Sequence, residues 1–179
     1  VPRVGGLAIY IAILVLIPLL SFGFIPLSVV FDLDAEQLTL LILSAAPVFA
    51  VGLAEDFGYD MSPKVRLLAS AASSLIAILL FRFWLKSLGI PGVDTLLTLA
   101  PFGILFTIFA SVGVVNAFNL IDGLNGLSSY VVISVAFSLS IIAFQAGNTQ
   151  VSIFLILIVS SVLGFMVLNF PMGKIFLGD

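Results

Sequence analysis

Charge is the scarcest property of this 179-residue sequence. Lys, Arg, Asp and Glu make up 8% of the residues, whereas hydrophobic residues make up 62%. A soluble domain is about a quarter charged, because a globule must cover its surface with polar groups. Six basic and nine acidic residues cannot do this, and they do not supply the basic patch of a nucleic-acid binder. The composition therefore excludes a soluble domain, a disordered chain and a nucleic-acid binder, and it indicates an integral membrane protein.

Cysteine and histidine are absent altogether. The stretch therefore contains no disulfide, no Cys/His zinc site and no cysteine nucleophile. A histidine-based catalytic triad is excluded for the same reason. The net charge of −3 says little about function, because in a membrane protein the position of the charges matters more than their sum.

Six apolar stretches predict membrane spans. A helix needs ~20 apolar residues to cross a bilayer, whereas a barrel strand shows only about ten, in alternation. Because the stretches are continuous, we expect an all-α, polytopic transmembrane helical bundle that forms one domain over residues 1–179. Pro18 and Pro26 favour a kink, a tilt or an early end in the first stretch. The stretches are approximately residues 5–31, 37–54, 67–85, 100–120, 127–146 and 151–170.

The basic residues predict which side of the membrane each loop occupies. We place the Arg3 segment on one side and let each span cross once. Lys and Arg are enriched in cytoplasmic loops, so the side with more of them is expected to face the cytoplasm. That side holds the four cations Arg3, Lys64, Arg66 and Lys174, and the other side holds Arg82 and Lys86.

Three polar clusters follow predicted spans two, four and six, so the same count places all three on the cytoplasmic side. They are residues 52–66, 116–126 and 169–179. Taken singly, they can be explained as a solvated loop, a capped helix end and a membrane-exit segment. Carboxylates packed against an apolar span end are costly, however, unless they bind something. Their convergence on one face favours a functional site over a structural role.

The first cluster contains two adjacent carboxylates, Glu55 and Asp56, at the end of span two. Ser62 followed by Pro63 predicts an N-cap and the first position of the next helix. Mg²⁺ prefers oxygen ligands and usually takes one or two carboxylates together with substrate phosphates. The carboxylates therefore suit a hard cation, and nearby Lys and Arg side chains suit phosphate or anionic headgroups.

The second cluster places Asn116, Asn119 and Asp122 at spacings i, i+3 and i+6, so on a helix they share one face. Asp122-Gly123 and Asn125-Gly126 are turn signals that break a helix. A helix end capped by Asn and Asp is the alternative explanation. Three amides and one acid in so apolar a chain favour a binding surface.

Four stretches resemble motifs of the polyprenyl-phosphate N-acetylhexosamine-1-phosphate transferases (glycosyltransferase family 4), in the family's order. Pro2 to Gly6 is similar to "TPRxGG", and Gly52 to Arg66 is similar to "GLxDDxxxLSPKxK". Asn116 to Leu127 resembles "NAxNLIDGLDGL", and Pro171 to Asp179 resembles "PAKIFMGD". The chain departs from these patterns with Val1 in place of Thr and with Glu in place of the first Asp of the acidic pair.

The resemblance implies a phospho-N-acetylhexosamine transferase. Such an enzyme moves a sugar-1-phosphate from a UDP-N-acetylhexosamine to undecaprenyl phosphate and releases UMP. The step initiates lipid-linked synthesis of a cell-surface polysaccharide of the O-antigen or teichoic acid type. UDP-GlcNAc is the default donor, with FucNAc or QuiNAc donors as alternatives. Family members begin earlier and continue further, so the resemblance also implies that the chain is the central part of a longer enzyme.

The resemblance assigns roles to individual residues. It implies catalytic roles for Glu55, Asp56 and Asp179, with Asp179 and Asp56 as ligands of Mg²⁺, or of Mn²⁺ as an alternative. It implies substrate binding by seven residues, Arg3, Lys64, Asn116, Asn119, Asp122, Asn125 and Asn169. The expected partners are undecaprenyl phosphate, the UDP-sugar, membrane lipids and, as an option, a second copy in a homodimer. The expected location is the inner membrane of a bacterium, multi-pass, with the active face in the cytoplasm.

Two other classes of protein share some of these features. Secondary transporters also have interrupted spans and rare intramembrane acids, but they place them near the bilayer midplane. A structural scaffold would leave the three polar clusters without a reason. For the transferase, a direct displacement and an aspartyl-phosphate intermediate are both compatible with the sequence.

Overall fold

A computed structural model describes residues 3–21 and 35–178 of the chain. In those residues the regular structure is helical, apart from one isolated β-bridge between Arg3 and Phe176. The prediction of an all-α membrane helical bundle is confirmed. The helices are α1 (Gly5–Ser21), α2 (Ala35–Ser44), α3 (Ala46–Asp56), α4 (Pro63–Phe81), α5 (Val93–Thr98), α6 (Ala100–Ile121), α7 (Leu127–Gln145) and α8 (Thr149–Asn169).

Four of these helices, α4, α6, α7 and α8, are long and apolar enough to cross a membrane. They correspond to predicted spans three to six. Helix α1 covers the first part of predicted span one, and its Gly5–Val15 portion is a shorter apolar helix. The remainder of that span, with Pro26, lies outside the described residues.

Predicted span two is divided into the two helices α2 and α3, which meet at Ala45. Pro47 occupies the first turn of α3, and proline has no backbone N–H to donate to the carbonyl four residues earlier. The end of α2 tightens instead. The Ala45 N–H donates to the Ile42 carbonyl at 3.1 Å, and the Ser44 hydroxyl donates to the Leu41 carbonyl at 2.6 Å. The continuous apolar run concealed this break.

Helix α4 begins where the sequence predicts. Ser62 is its N-cap in extended conformation, and its hydroxyl accepts a hydrogen bond from the Val65 N–H at 3.4 Å. Pro63 takes the first helical position, where a missing N–H costs nothing. The prediction of a capped helix after the acidic pair is confirmed.

The far end of α4 comes four residues before the end of predicted span three, at Phe81. Arg82 adopts a left-handed conformation with φ 50°, and the chain then turns. The Trp84 Nε1–H donates to the Leu97 carbonyl at 3.2 Å, and a side chain at Gly103 would collide with the Trp84 ring. The turn therefore depends on the Trp84 indole, which has room only because residue 103 is glycine.

The connection after Trp84 contains the short helix α5, which the sequence did not predict. Asp94 in its first turn accepts hydrogen bonds from the Leu88 N–H at 2.8 Å and the Ser87 hydroxyl at 2.7 Å. The Leu88 N–H is the main cause that lowers the pKa of the Asp94 carboxyl, and the Ser87 hydroxyl adds to it. These contacts hold the loop that precedes α5.

The described helices fall into two compact units, Leu40–Asn119 and the combination of Val1–Thr39 with Leu120–Asp179. In the second of these, α7 packs extensively on α8, and α1 packs on α8 as well. A buried Ser152 hydroxyl donates to the Ser140 carbonyl of α7 at 2.8 Å. Small polar residues of this kind let two membrane helices approach closely and hydrogen-bond to each other.

Gly5 marks the point where α1 meets α8. A side-chain carbon at Gly5 would collide with the Phe165 ring and would lie 2.8 Å from the Phe176 carbonyl oxygen. Both neighbours are held in place, because Phe165 is buried in the core and the Phe176 oxygen is a backbone atom. Gly5 is therefore required by the packing.

We expect Gly5→Ala to lower the free energy of unfolding by about 1–3 kcal/mol, the usual cost of overpacking a close contact. Gly113→Ala is the matched control, because nothing lies within 4 Å of a side chain at Gly113. Alanine should stabilise that helix interior by ~0.5–1 kcal/mol. Reversible unfolding in mixed micelles measures both. Equal stability changes of the two variants would contradict the packing described for Gly5.

Candidate functional site

The first and last of the family-like segments are joined by backbone hydrogen bonds. The Gly5 N–H donates to the Phe176 carbonyl at 2.9 Å, and the Gly6 N–H donates to the Leu177 carbonyl at 2.7 Å. The first N–H groups of a helix have no partner within the helix itself. Here the segment after α8 supplies the acceptors. Residues 3–6 and 171–178 of the two family-like segments, which are far apart in sequence, therefore lie side by side.

Asn169 joins the same segment to the loop before α7. Its Oδ1 accepts from the Gly126 N–H at 2.6 Å, and its Nδ2 donates to the Ile175 carbonyl at 2.8 Å. Asn169 is 5% exposed. Both ends of this buried amide are thus occupied by backbone atoms of two different polar segments.

Two glycines allow these segments to pack tightly. Gly126 has φ +80°, and a side-chain carbon there would come within 3.0 Å of the Phe170 ring. Gly173 has φ +57°, and a side-chain carbon there would come within 2.8 Å of the Asn125 Nδ2 atom. Residues with side chains rarely adopt such backbone angles. Asn125, in the third family-like segment, therefore lies directly against the backbone of the fourth segment.

Asp122 lies just beyond the end of α6, as the turn signals predict. Its Oδ1 atom accepts a short hydrogen bond from the Ser128 hydroxyl in the first turn of α7. The next residue, Ser129, is 2% exposed, and its hydroxyl is buried without a hydrogen-bond partner. Sequence reasoning missed both serines, although they directly follow the Asn125-Gly126-Leu127 motif.

One unit of the structure thus brings together the polar segments around five residues, Arg3, Asp122, Asn125, Asn169 and Lys174. Arg3 and Lys174 are exposed at this end of the helices. Asp179, the predicted metal ligand, follows this platform directly in sequence and lies outside the described residues.

The other unit contains the acidic pair, which forms the last two residues of α3. Glu55 Oε1 lies 3.4 Å from Arg66 Nη1, with side-chain exposures of 22% and 34% respectively. A partly exposed pair of this kind contributes at most about 1 kcal/mol to stability. The main effect of this ion pair is on position, because it holds the acidic pair close to the first turns of α4 across the loop between them. The sequence placed Arg66 on the same membrane side but did not reveal this pairing.

The second oxygen of Glu55 is the unusual atom of this unit. Glu55 Oε2 is buried and has no hydrogen-bond partner. An unsatisfied buried acceptor costs about 1–3 kcal/mol, and more when it is charged. A cation or a donor from a bound molecule would remove that cost, so the position fits a site that holds an ion or a substrate.

The remaining predicted site residues of this unit are less constrained. Asp56 is half-buried beside Glu55, whereas Lys64 is exposed at the start of α4. Asn116 uses its Nδ2 to donate to the Val112 carbonyl at 2.8 Å, and Asn119 is exposed in the last turn of α6. That these residues face the same membrane side as the other unit's platform stays a prediction.

A metal site assembled from described residues alone is not seen. Over residues 3–21 and 35–178, no three or more acidic, His or Cys side chains lie close enough together to hold a metal ion. The predicted ligand pair was Asp56 with Asp179, and the second of these falls outside that part of the chain. The buried Glu55 oxygen is the structural feature that best fits a cation.

Comparison with known proteins identifies relatives that match most or all of the chain. The chain is 27% identical over 183 residues to the undecaprenyl-phosphate alpha-N-acetylglucosaminyl 1-phosphate transferase of Escherichia coli K12, covering 100% of the chain and 47% of that protein. It is 34% identical over 149 residues to the phospho-N-acetylmuramoyl-pentapeptide-transferase of Listeria innocua, covering 78% of the chain and 46% of that protein. With the protein of the same name from Anoxybacillus flavithermus it shares 30% identity over 187 residues, covering 99% and 56%.

The chain therefore spans about half the length of the curated relatives it matches. No solved structure matches it significantly. A family model described as "Glycosyl transferase family 4" matches residues 38–179, which include three of the four family-like segments and the acidic pair. The chain belongs to glycosyl transferase family 4.

Proposed function

We propose that the protein transfers a sugar-1-phosphate from a UDP-N-acetylhexosamine to undecaprenyl phosphate and releases UMP. UDP-GlcNAc is the first candidate donor, and UDP-linked FucNAc and QuiNAc are the alternatives. The product would initiate a lipid-linked polysaccharide of the O-antigen or teichoic acid type. The reaction would take place at the cytoplasmic face of a bacterial inner membrane.

The observation that carries the proposal is the joining, within one unit, of residues 3–6, 120–127 and 171–178, which belong to three of the four family-like segments. The relatives' names describe transfer of a phospho-sugar and, for one of them, undecaprenyl phosphate as the acceptor. A lipid phosphate and a water-soluble nucleotide meet only at a membrane interface. A platform at the ends of apolar helices, with Arg3 and Lys174 exposed beside it, suits that meeting.

The reaction requires little covalent chemistry from the protein itself. An oxygen of the lipid phosphate forms a bond to the phosphorus attached to the sugar, and the bond from that phosphorus to the UMP oxygen breaks. A phosphate monoester has its second pKa near ~6, so it is already mostly dianionic at neutral pH. The acceptor therefore needs alignment and charge neutralisation more than it needs a general base.

The residues divide this work by their charge. Arg3 and Lys64 would neutralise phosphate oxygens. The amides and the acid of the second cluster would form the surface under the nucleotide sugar, with Asn169 beside them: Asn116, Asn119, Asp122 and Asn125. Asp179 would be the leading ligand of Mg²⁺ or Mn²⁺, and Asp56, with Glu55, would organise the metal or the lipid phosphate. That ion, when bound, neutralises the diphosphate charge that builds up in phosphoryl transfer.

A secondary transporter fits the structure less well. Such proteins place their ionisable groups near the bilayer midplane. Here α6, α7 and α8 contain no Asp, Glu, Lys or Arg at all. The acids instead lie at helix ends, with Glu55 and Asp56 closing α3 and Asp122 following α6.

The direct test is an assay of membranes that contain the protein, supplied with undecaprenyl phosphate, Mg²⁺ and UDP-GlcNAc. We expect UMP and a lipid-diphosphate sugar in equal amounts. Omission of undecaprenyl phosphate should abolish UMP release, which excludes simple hydrolysis of the donor. The proposal fails if no UDP-N-acetylhexosamine, including the FucNAc, QuiNAc and N-acetylmuramoyl-pentapeptide forms, yields UMP.

A second prediction concerns the metal ligands. We expect Asp179→Asn and Asp56→Asn each to lower kcat at least about 100-fold, because a metal-bound phosphate contributes several kcal/mol of charge stabilisation. Glu36→Gln is the matched control, since Glu36 is an exposed acid in the first turn of α2, away from the proposed site residues in sequence. It should keep parental activity. Full activity of Asp179→Asn would remove that residue from the metal site.

A further inference from the structure

The Asn169 side chain stands apart from the other predicted site amides. Its carbonyl oxygen accepts from Gly126, which lies 43 residues away, and its amino group donates to Ile175, six residues away. It is also the buried member of the set, whereas Asn119 and Asn125 are exposed. One N–H and one lone pair of this amide are used by the backbone, and because the side chain is 5% exposed, a substrate has little access to the others.

We propose that Asn169 is a positioning residue that locks the loop at residues 122–126 against the segment at residues 171–178. Through Gly126 it fixes the loop that carries Asp122 and Asn125. Through Ile175 it fixes the segment that leads to Asp179. One amide thereby sets the separation between the loop that carries Asp122 and Asn125 and the segment that precedes the proposed metal ligand.

The surrounding contacts explain why an amide is needed at this position. The gap is narrow, because Gly126 lies against Phe170 and Gly173 lies against Asn125. The bonded groups are an N–H and a C=O, so the side chain must accept at one end and donate at the other. Asparagine does both, whereas an ionised aspartate only accepts and an alanine does neither.

The lock itself does not depend on the reaction, although its catalytic consequence rests on the proposed transferase function. The lock is therefore tested first without substrate. The 179 residues contain no cysteine, so two introduced cysteines can be spin-labelled specifically. Leu124→Cys and Met172→Cys suit this purpose, because the parent residues are 66% and 65% exposed and lie on the two joined segments.

We expect one narrow distance distribution between the labels in the membrane-embedded parent and a broad one after Asn169→Ala. Asn148→Ala is the matched control in the same helix. Asn148 caps the opposite end of α8 by accepting from the Val151 N–H at 3.2 Å, and it joins no other segment. It should leave the distribution narrow. An unchanged distribution in Asn169→Ala overturns the lock.

The second variant, Asn169→Asp, tests the donor requirement by pH. A neutral carboxyl group can accept from Gly126 and donate to Ile175, but a carboxylate cannot donate. Burial favours the neutral form, so the pKa of the introduced carboxyl should be raised. The activity of the variant relative to the parent should therefore increase about tenfold as the pH falls from about 8.5 to about 6.

Because the activity of the variant is divided by that of the parent, the effect of groups that titrate in both proteins cancels. On the elements packed around Asn169, the ionisable side chains in the described part of the chain are Arg3, Tyr10, Asp122, Tyr130 and Lys174. A flat ratio overturns the donor role. A raised KM for the nucleotide sugar together with unchanged label distances would instead show that Asn169 contacts substrate directly. Loss of UMP release in the parent protein would refute the transferase function alone.

Discussion

The hydrocarbon interior of a bilayer offers no water to peptide groups, and the rest of this structure follows from that constraint. Every backbone N–H and C=O inside it must find a partner within the protein. The long helices meet the constraint along their length. At the helix ends the backbone N–H and C=O groups have no partner within the helix. There the groups of one segment form hydrogen bonds with a neighbouring segment. Gly5, Gly6 and Gly126 all donate in this way.

The same constraint explains the small residues of the spans. Serine hydroxyls along the helices donate to carbonyls of the preceding turn, as Ser70 does to Arg66 and Ser160 does to Ile156. Such bonds satisfy the hydroxyl without a partner outside the helix. Glycine at position 5 then lets one helix end lie directly on another. The polar platform is therefore built mostly from backbone, and few charged side chains are needed to form it.

Local signals in the sequence were sufficient for much of the fold. Ser62-Pro63 marked the start of α4, and Asp122-Gly123 marked the end of α6, because caps and turns depend on residues only a few positions apart. The break at Ala45 was not predicted, because Pro47 lies within an otherwise continuous apolar run. The early end of α4 was not predicted either, because it depends on the contacts of Trp84 with Leu97 and Gly103.

The candidate site shows the same division between local and distant contacts. The family-like segments could be recognised as motifs, and their residue types indicated phosphate and a hard cation. Which segments touch could not be read from spacing, because Asn169 and Gly126 are 43 residues apart and Gly5 reaches Phe176. The pairing of Glu55 with Arg66 was hidden for the same reason. Roles that depend on substrate and metal stay predictions until those are bound.

The central claim is that the three polar segments of one unit, around Gly5, Gly126 and Phe176, form one hydrogen-bonded platform. Amide hydrogen exchange of the membrane-embedded protein measures it most directly. Gly5 and Gly6 begin α1, and amides in the first turn of a helix are normally unprotected. If the Phe176 and Leu177 carbonyls and the Asn169 side chain accept their hydrogen bonds, the amides of Gly5, Gly6 and Gly126 should exchange at least about 100-fold more slowly than in an unstructured peptide. Exchange of these three amides at the unstructured rate would contradict the account.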